Sequence, residues 1–115
     1  MPEEQMKRTR NIRFLNFRIQ VILCDEDPYG DGSIGWVDRL DNPPRWRVGF
    51  VGVPAEDVLA HECWHLFNSV MAVADSQPKA FDELACSELY AYTFQELFSQ
   101  LRQAVSTLAH RREKQ

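Results

Sequence analysis

Apolar positions recur along this chain with two different periods, and the change of period divides it into a sheet-forming first half and a helical second half. From residue 14 to 24 they alternate, with Leu15, Phe17, Ile19, Val21 and Leu23 on one side and Asn16, Arg18 and Gln20 on the other. A period of two reads as a half-buried β-strand. The run from Asp25 to Gly32, rich in Asp, Pro and Gly, is a turn signal. A short alternating segment follows with Ile34, Trp36 and Leu40, then a break at Asn42-Pro43-Pro44. A third alternation through Trp46, Val48 and Phe50 ends near Val53. The pattern predicts a small, largely antiparallel sheet of three strands joined by turns. Residues 1–11 carry no such pattern and read as a disordered N-terminal tail, leaving 12–112 as one domain.

Beyond Val53 the period lengthens. Pro54 suits the first position of a helix, and Glu56 and Asp57 suit the positive end of its dipole, so a helix is predicted over 54–74. Asp75-Ser76-Gln77-Pro78 closes it. At about 100° per residue, Leu59, Cys63, Leu66, Phe67 and Val70 share one side, widened by Ala60 and Met71. His61, His65, Asn68 and Ser69 take the opposite side, with Val58 and Glu62 at its margin. Residues 79–112 contain no Gly or Pro and are helical in pattern, as one long helix or two shorter ones. Leu84, Ala91, Phe98 and Val105 form one seven-residue series there, and Phe94, Leu101 and Leu108 a second. The class is therefore α+β.

Composition narrows the function. A chain of 115 residues makes one compact domain. Its net charge of −4 gives no reason to expect nucleic acid or an anionic membrane as partner. Basic residues gather near both ends (Lys7, Arg8, Arg10, Arg13, then Arg111, Arg112, Lys114) and read as solvated tails. No apolar run approaches the roughly 20 residues that span a bilayer. The first residues lack the pattern of a secretion signal. Three cysteines without framework spacing suit a reducing compartment, so a cytoplasmic location is expected.

The candidate chemistry lies in His61-Glu62-Cys63-Trp64-His65. Residues four apart on a helix stand one above the other, so both imidazoles can take adjacent corners of a tetrahedral zinc site. Glu62 lies beside that face, where a general base of metal-assisted hydrolysis belongs. A chance occurrence of this spacing in so short a chain is on the order of a few per thousand.

A catalytic zinc needs a third protein ligand. His110 sits among arginines at the end of the last helix and reads as solvated. The other candidates are Asp82, Glu83, Glu88 and Glu96. Glu88, between Leu84 and Ala91, is preferred, with Glu83 in reserve. Cys63 points to the buried side and reads as a core residue. The aspartates at 25, 27 and 31 lack the spacing of a calcium-binding loop. Tyr92, one turn beyond Glu88, is a candidate donor to a developing oxyanion, though a packing tyrosine answers equally to the pattern.

His61-Glu62-Cys63-Trp64-His65 followed by Ser87-Glu88-Leu89-Tyr90-Ala91-Tyr92 resembles the small zincin-like proteins of phages and prophages, a pared-down gluzincin metallopeptidase family. The resemblance covers about residues 17–101. It implies Zn2+ held by His61, His65 and Glu88, with Glu62 as general base, in a bacterial or phage-infected host. It also implies that the strand nearest the site aligns an extended peptide. One position departs from the larger gluzincins: Ala91 and Tyr92 occupy the region where those often carry an aspartate that orients a histidine. The expected activity is hydrolysis of amide bonds in a peptide or protein. The alternative is a non-catalytic zinc-binding module that serves structure or protein interaction. Half of the usual peptidase cleft is missing in so short a chain, so a protein partner or a second copy is expected to complete it.

Overall fold

The computed structural model describes residues 7–28, 30–74 and 83–114, the last of these with side chains from 88 to 110. Four strands precede two helices: β1 (Lys7–Phe14), β2 (Phe17–Cys24), β3 (Gly35–Leu40), β4 (Arg45–Val51), α1 (Glu56–Ala74) and α2 (Glu83–Lys114). The strands form one sheet in the order β1-β2-β4-β3. β2 runs antiparallel to β1 and parallel to β4, while β3 is antiparallel to β4.

The expected three-stranded, largely antiparallel sheet is thus corrected to a four-stranded mixed one; the α+β class stands. Two causes account for the difference. The first is a hairpin that hides in the sequence. Phe14 faces Phe17 across a two-residue turn whose central residues, Leu15 and Asn16, have φ of 52° and 67°. Turns of this hand are usually marked by Gly, and here a leucine stands in one. Leu15 is exposed, outside the alternating series in which it appeared to belong. The strand before it begins at Lys7, inside the stretch expected as a tail. Its side chains are mostly charged or polar, because an edge strand with one solvated face needs few apolar positions.

The second cause is burial. In β4 the residues Trp46, Val48, Gly49 and Phe50 are all buried, whereas β3 is half-exposed along its length. The more deeply buried strand takes the middle of the sheet beside β2, and the chain crosses past it to form β3 at the edge.

Both helices lie on one face of the sheet, α1 over β3 and β4, α2 over β1 and β2. They run antiparallel: Phe67 meets Tyr90 and Phe94, Trp64 meets Phe94, and Glu56 pairs with Arg102 at 2.8 Å. The core joins Ile19, Val21 and Leu23 of β2 and Trp46, Val48 and Phe50 of β4 to the inner sides of both helices. Trp46 is fully buried and donates its indole N–H to the Ser69 hydroxyl at 2.8 Å, which ties β4 to α1.

α2 is a single helix from Glu83 to Lys114. Its buried residues are Leu97, Leu101, Ala104, Val105 and Leu108, flanked by half-buried Tyr90, Phe94 and Phe98. Both predicted series contribute to that face: Leu101 and Leu108 of the second and Val105 of the first are buried, with Phe94 and Phe98 half-buried. Ala91, a member of the first, is exposed. Leu101→Ala is accordingly expected to cost about 2–5 kcal/mol in urea unfolding. Ala91→Ser, one α2 stripe away, is expected to change stability by less than about 1 kcal/mol.

Candidate metal centre

α1 opens where the Leu59 N–H donates to the carbonyl of Ala55 at 3.0 Å, just after Pro54. Glu56 and Asp57 occupy its first turn, near the positive end of the dipole. Leu59, Cys63, Leu66, Phe67 and Val70 are its buried residues, as the sequence pattern requires. With that stripe held inward, His61 and His65 emerge on the exposed side.

Their Nε2 atoms stand 3.2 Å apart, with ring centroids 4.7 Å apart and ring planes at 80°. Two nitrogens bound to one tetrahedral zinc at about 2.0–2.1 Å would lie roughly 3.3 Å from each other. The separation fits that pair of corners. It also fits an N–H···N hydrogen bond in which one neutral ring donates to the other.

Glu62 is half-buried and lies against the start of β3. A Cβ at Gly35 would stand 2.8 Å from the Glu62 Cγ and 3.1 Å from its Oε2. The backbone of Gly35 is not left-handed, so the absence of a side chain there serves space rather than conformation. Glu62 and His61 share a cleft of about 440 Å³ with Ile34, Asp57 and Val58. The cleft thus lies between the first turns of α1 and the entry to edge strand β3. Sequence reading missed Gly35; its only signal was a glycine opening an alternating segment, a mark of close approach.

The remaining candidates fall elsewhere. Glu88 is exposed on α2. Taking about 100° per residue, it lies roughly 150° around the helix from the centre of the buried face. Among the described residues no group of three or more His, Cys, Asp or Glu side chains is placed to hold a metal, so Glu88 is not gathered with the two histidines. Asp82 and the side chain of Glu83 lie outside the described residues. Glu96 is exposed and accepts a hydrogen bond from Gln100 at 2.8 Å. Tyr92 is exposed and lines a different cleft, with Arg13, Leu15 and Glu96. His110 is exposed near the end of α2. In the loop after β2, Asp27 and Asp31 accept backbone N–H bonds from Gly32 and Ser33, as turn carboxylates do.

Cys63, between the histidines in sequence, is fully buried, and burial pushes its thiol up to about 12 from an ordinary 9.0. Burial also raises the Cys24 thiol, with Lys7 acting in the opposite sense. Comparison of the chain with family models, curated proteins and solved structures returns no match.

The shift at Cys63 has a sign that can be checked. Below pH 9 the thiol is protonated both folded and unfolded, and its contribution to stability is constant. Between 9 and about 12 only the unfolded chain ionises, so stability falls as pH rises through that window. At pH 8, iodoacetamide is expected to leave Cys63 unmodified in the native protein and to label it in urea, read by peptide mass spectrometry.

Proposed function

We propose that this chain is a zinc-dependent hydrolase of amide bonds, a minimal peptidase in which His61 and His65 hold the metal and Glu62 is the general base. One observation carries the reading: the two Nε2 atoms converge to 3.2 Å, with Glu62 in the same cleft as His61, beside the free edge of the sheet.

Bound zinc would supply Lewis acidity and bring the pKa of a water near 7. Glu62 takes the proton of the attacking water and returns it to the leaving nitrogen. Its carboxylate occupies the space that the missing side chain of Gly35 leaves beside the start of β3. Among the described residues β3 pairs with β4 alone, so its outer N–H and C=O groups face away from the sheet. An extended peptide added along that edge would pass Glu62 at Gly35. Glu88, the third ligand that the resemblance to the small gluzincins implies, is not gathered with the histidines among the described residues, and Tyr92 lines another cleft, so neither has a part in the proposed chemistry.

A second reading, a zinc-binding module without catalysis, draws its support from the position of Glu88 on the outer side of α2. The two readings part at Glu62. Protein purified without chelators or a metal-affinity tag is expected to contain about one zinc per chain, reduced in His61→Ala and in His65→Ala. Glu62→Gln should keep the metal and lose cleavage of a peptide library; zinc-loaded wild type that cleaves no peptide would leave only the non-catalytic module. Absence of zinc from wild type would sink both.

Gly35→Ala offers a separate check of the close approach. It should retain zinc while hydrolysis falls by 10-fold or more, because a displacement of about 1 Å at a reacting group costs on that order or beyond. Full activity in this variant would show that the position of Glu62 does not depend on Gly35.

A further inference from the structure

The sheet face turned away from the helices carries a row of three arginines. Arg13 of β1 stands directly opposite Arg18 of β2, and Arg18 directly opposite Arg45 of β4. Neighbouring strands lie about 5 Å apart, so three guanidinium side chains rise side by side from one level of the sheet. All three line one cleft of about 380 Å³ with Asn16, Phe17, Pro43 and Pro44, and Arg13 also borders the neighbouring cleft that contains Glu96.

Like charges at directly opposed positions destabilise a sheet, and here two such pairs are adjacent. No carboxylate lines the cleft. Elsewhere in the described residues Arg8, Arg39, Arg47 and Arg102 each meet a carboxylate, on Asp25, Asp41, Asp38 and Glu56. The three arginines of the cleft do not. Arg45 donates Nη1 to the carbonyls of Asp41 and Pro43 at 3.3 and 3.2 Å, and Arg13 donates Nη1 to the carbonyl of Asn16 at 3.4 Å. These bonds orient two of the three guanidiniums from the walls of the cleft. The chain as a whole is acidic, at −4, so the cluster is a local feature and not a share of a general basic charge.

We propose that this cleft is a binding site for a small phosphate-bearing compound with at least two linked phosphates. Guanidinium groups match phosphate oxygens in pairs of parallel hydrogen bonds. One phosphate group carries about −1.5 to −2 near neutrality, so two linked groups balance three arginines. The volume falls within the range of small-molecule sites, roughly 300–1,000 Å³. The site is on the opposite side of the sheet from α1, and its ligand is independent of any metal at His61 and His65.

The probe is sodium pyrophosphate, titrated calorimetrically into the full chain at low ionic strength. One site per chain is expected, weakened at least 10-fold by Arg18→Ala and by Arg45→Ala and weakened progressively by added salt. His65→Ala should bind as wild type does, which separates the cleft from chelation at the histidines. Arg18 is exposed and its side chain makes no hydrogen bond among the described residues, so its replacement should leave thermal unfolding unchanged or raise its midpoint slightly by removing two like-charge oppositions. Absence of binding at millimolar pyrophosphate would overturn the proposal, as would binding indifferent to Arg18→Ala. A single-stranded oligonucleotide that bound more tightly than pyrophosphate and lost affinity in Arg18→Ala would replace the small ligand with a nucleic-acid backbone.

Discussion

Everything at the candidate centre depends on the burial of one stripe of α1. Leu59, Cys63, Leu66, Phe67 and Val70 are withdrawn from water against the sheet and α2. Fully burying a large aliphatic or aromatic side chain contributes about 1.5–3 kcal/mol, so rotating α1 would forfeit several such terms together. The rotation of the helix is therefore set by residues that take no part in chemistry. His61 and His65 point outward because their neighbours point inward. Cys63 belongs to that anchoring set and, although it lies within the motif, stays protonated and buried.

The second constraint is the place of β4. Its buried run puts it between β2 and β3, and this leaves β3 at the edge, under the start of α1. Two glycines permit close packing around β3, Gly35 on the helix side of the sheet and Gly49 on the opposite side. Gly35 receives Glu62, and Gly49 receives the Trp36 indole, which lies over it where a Cβ would collide. In the antiparallel register Trp36 and Gly49 are direct partners, as are Gly35 and Phe50. Edge strand, helix and central strand are thus locked together by contacts to positions without side chains. The carboxylate of Glu62 inherits its setting from that lock.

Charge is distributed with similar economy of position. Asp38 and Arg47 pair at 3.1 Å across β3 and β4, and Arg8 pairs with Asp25 at 3.2 Å near the end of β2. The arginines at the hairpin end of the sheet have no such neighbours. They come together only because the register of β1, β2 and β4 aligns them. In the sequence they are separated residues in three segments, each an ordinary solvated position.

What the sequence determined by itself was local. The period of two in β2 and β4, the period near 3.6 in α1, and the stacking of His61 on His65 all involve residues a few positions apart, whose relative placement follows from backbone geometry. The buried set of α1 was legible residue by residue for the same reason. Other features required the tertiary structure. The hairpin at Leu15-Asn16 is local but carries no glycine to mark it, while the parallel pairing of β2 with β4, the approach of Glu62 to Gly35, and the joining of Arg45 to Arg13 and Arg18 are contacts between segments distant along the chain. The face of α2 belongs with them: the two apolar series make one broad stripe, and packing against the sheet and α1 centred it on Leu97, Leu101, Ala104 and Leu108, with Val105 beside them. That choice turned Glu88 outward. A broad apolar stripe carries no local term that fixes its centre, and only the neighbouring surfaces decide which part is buried most deeply.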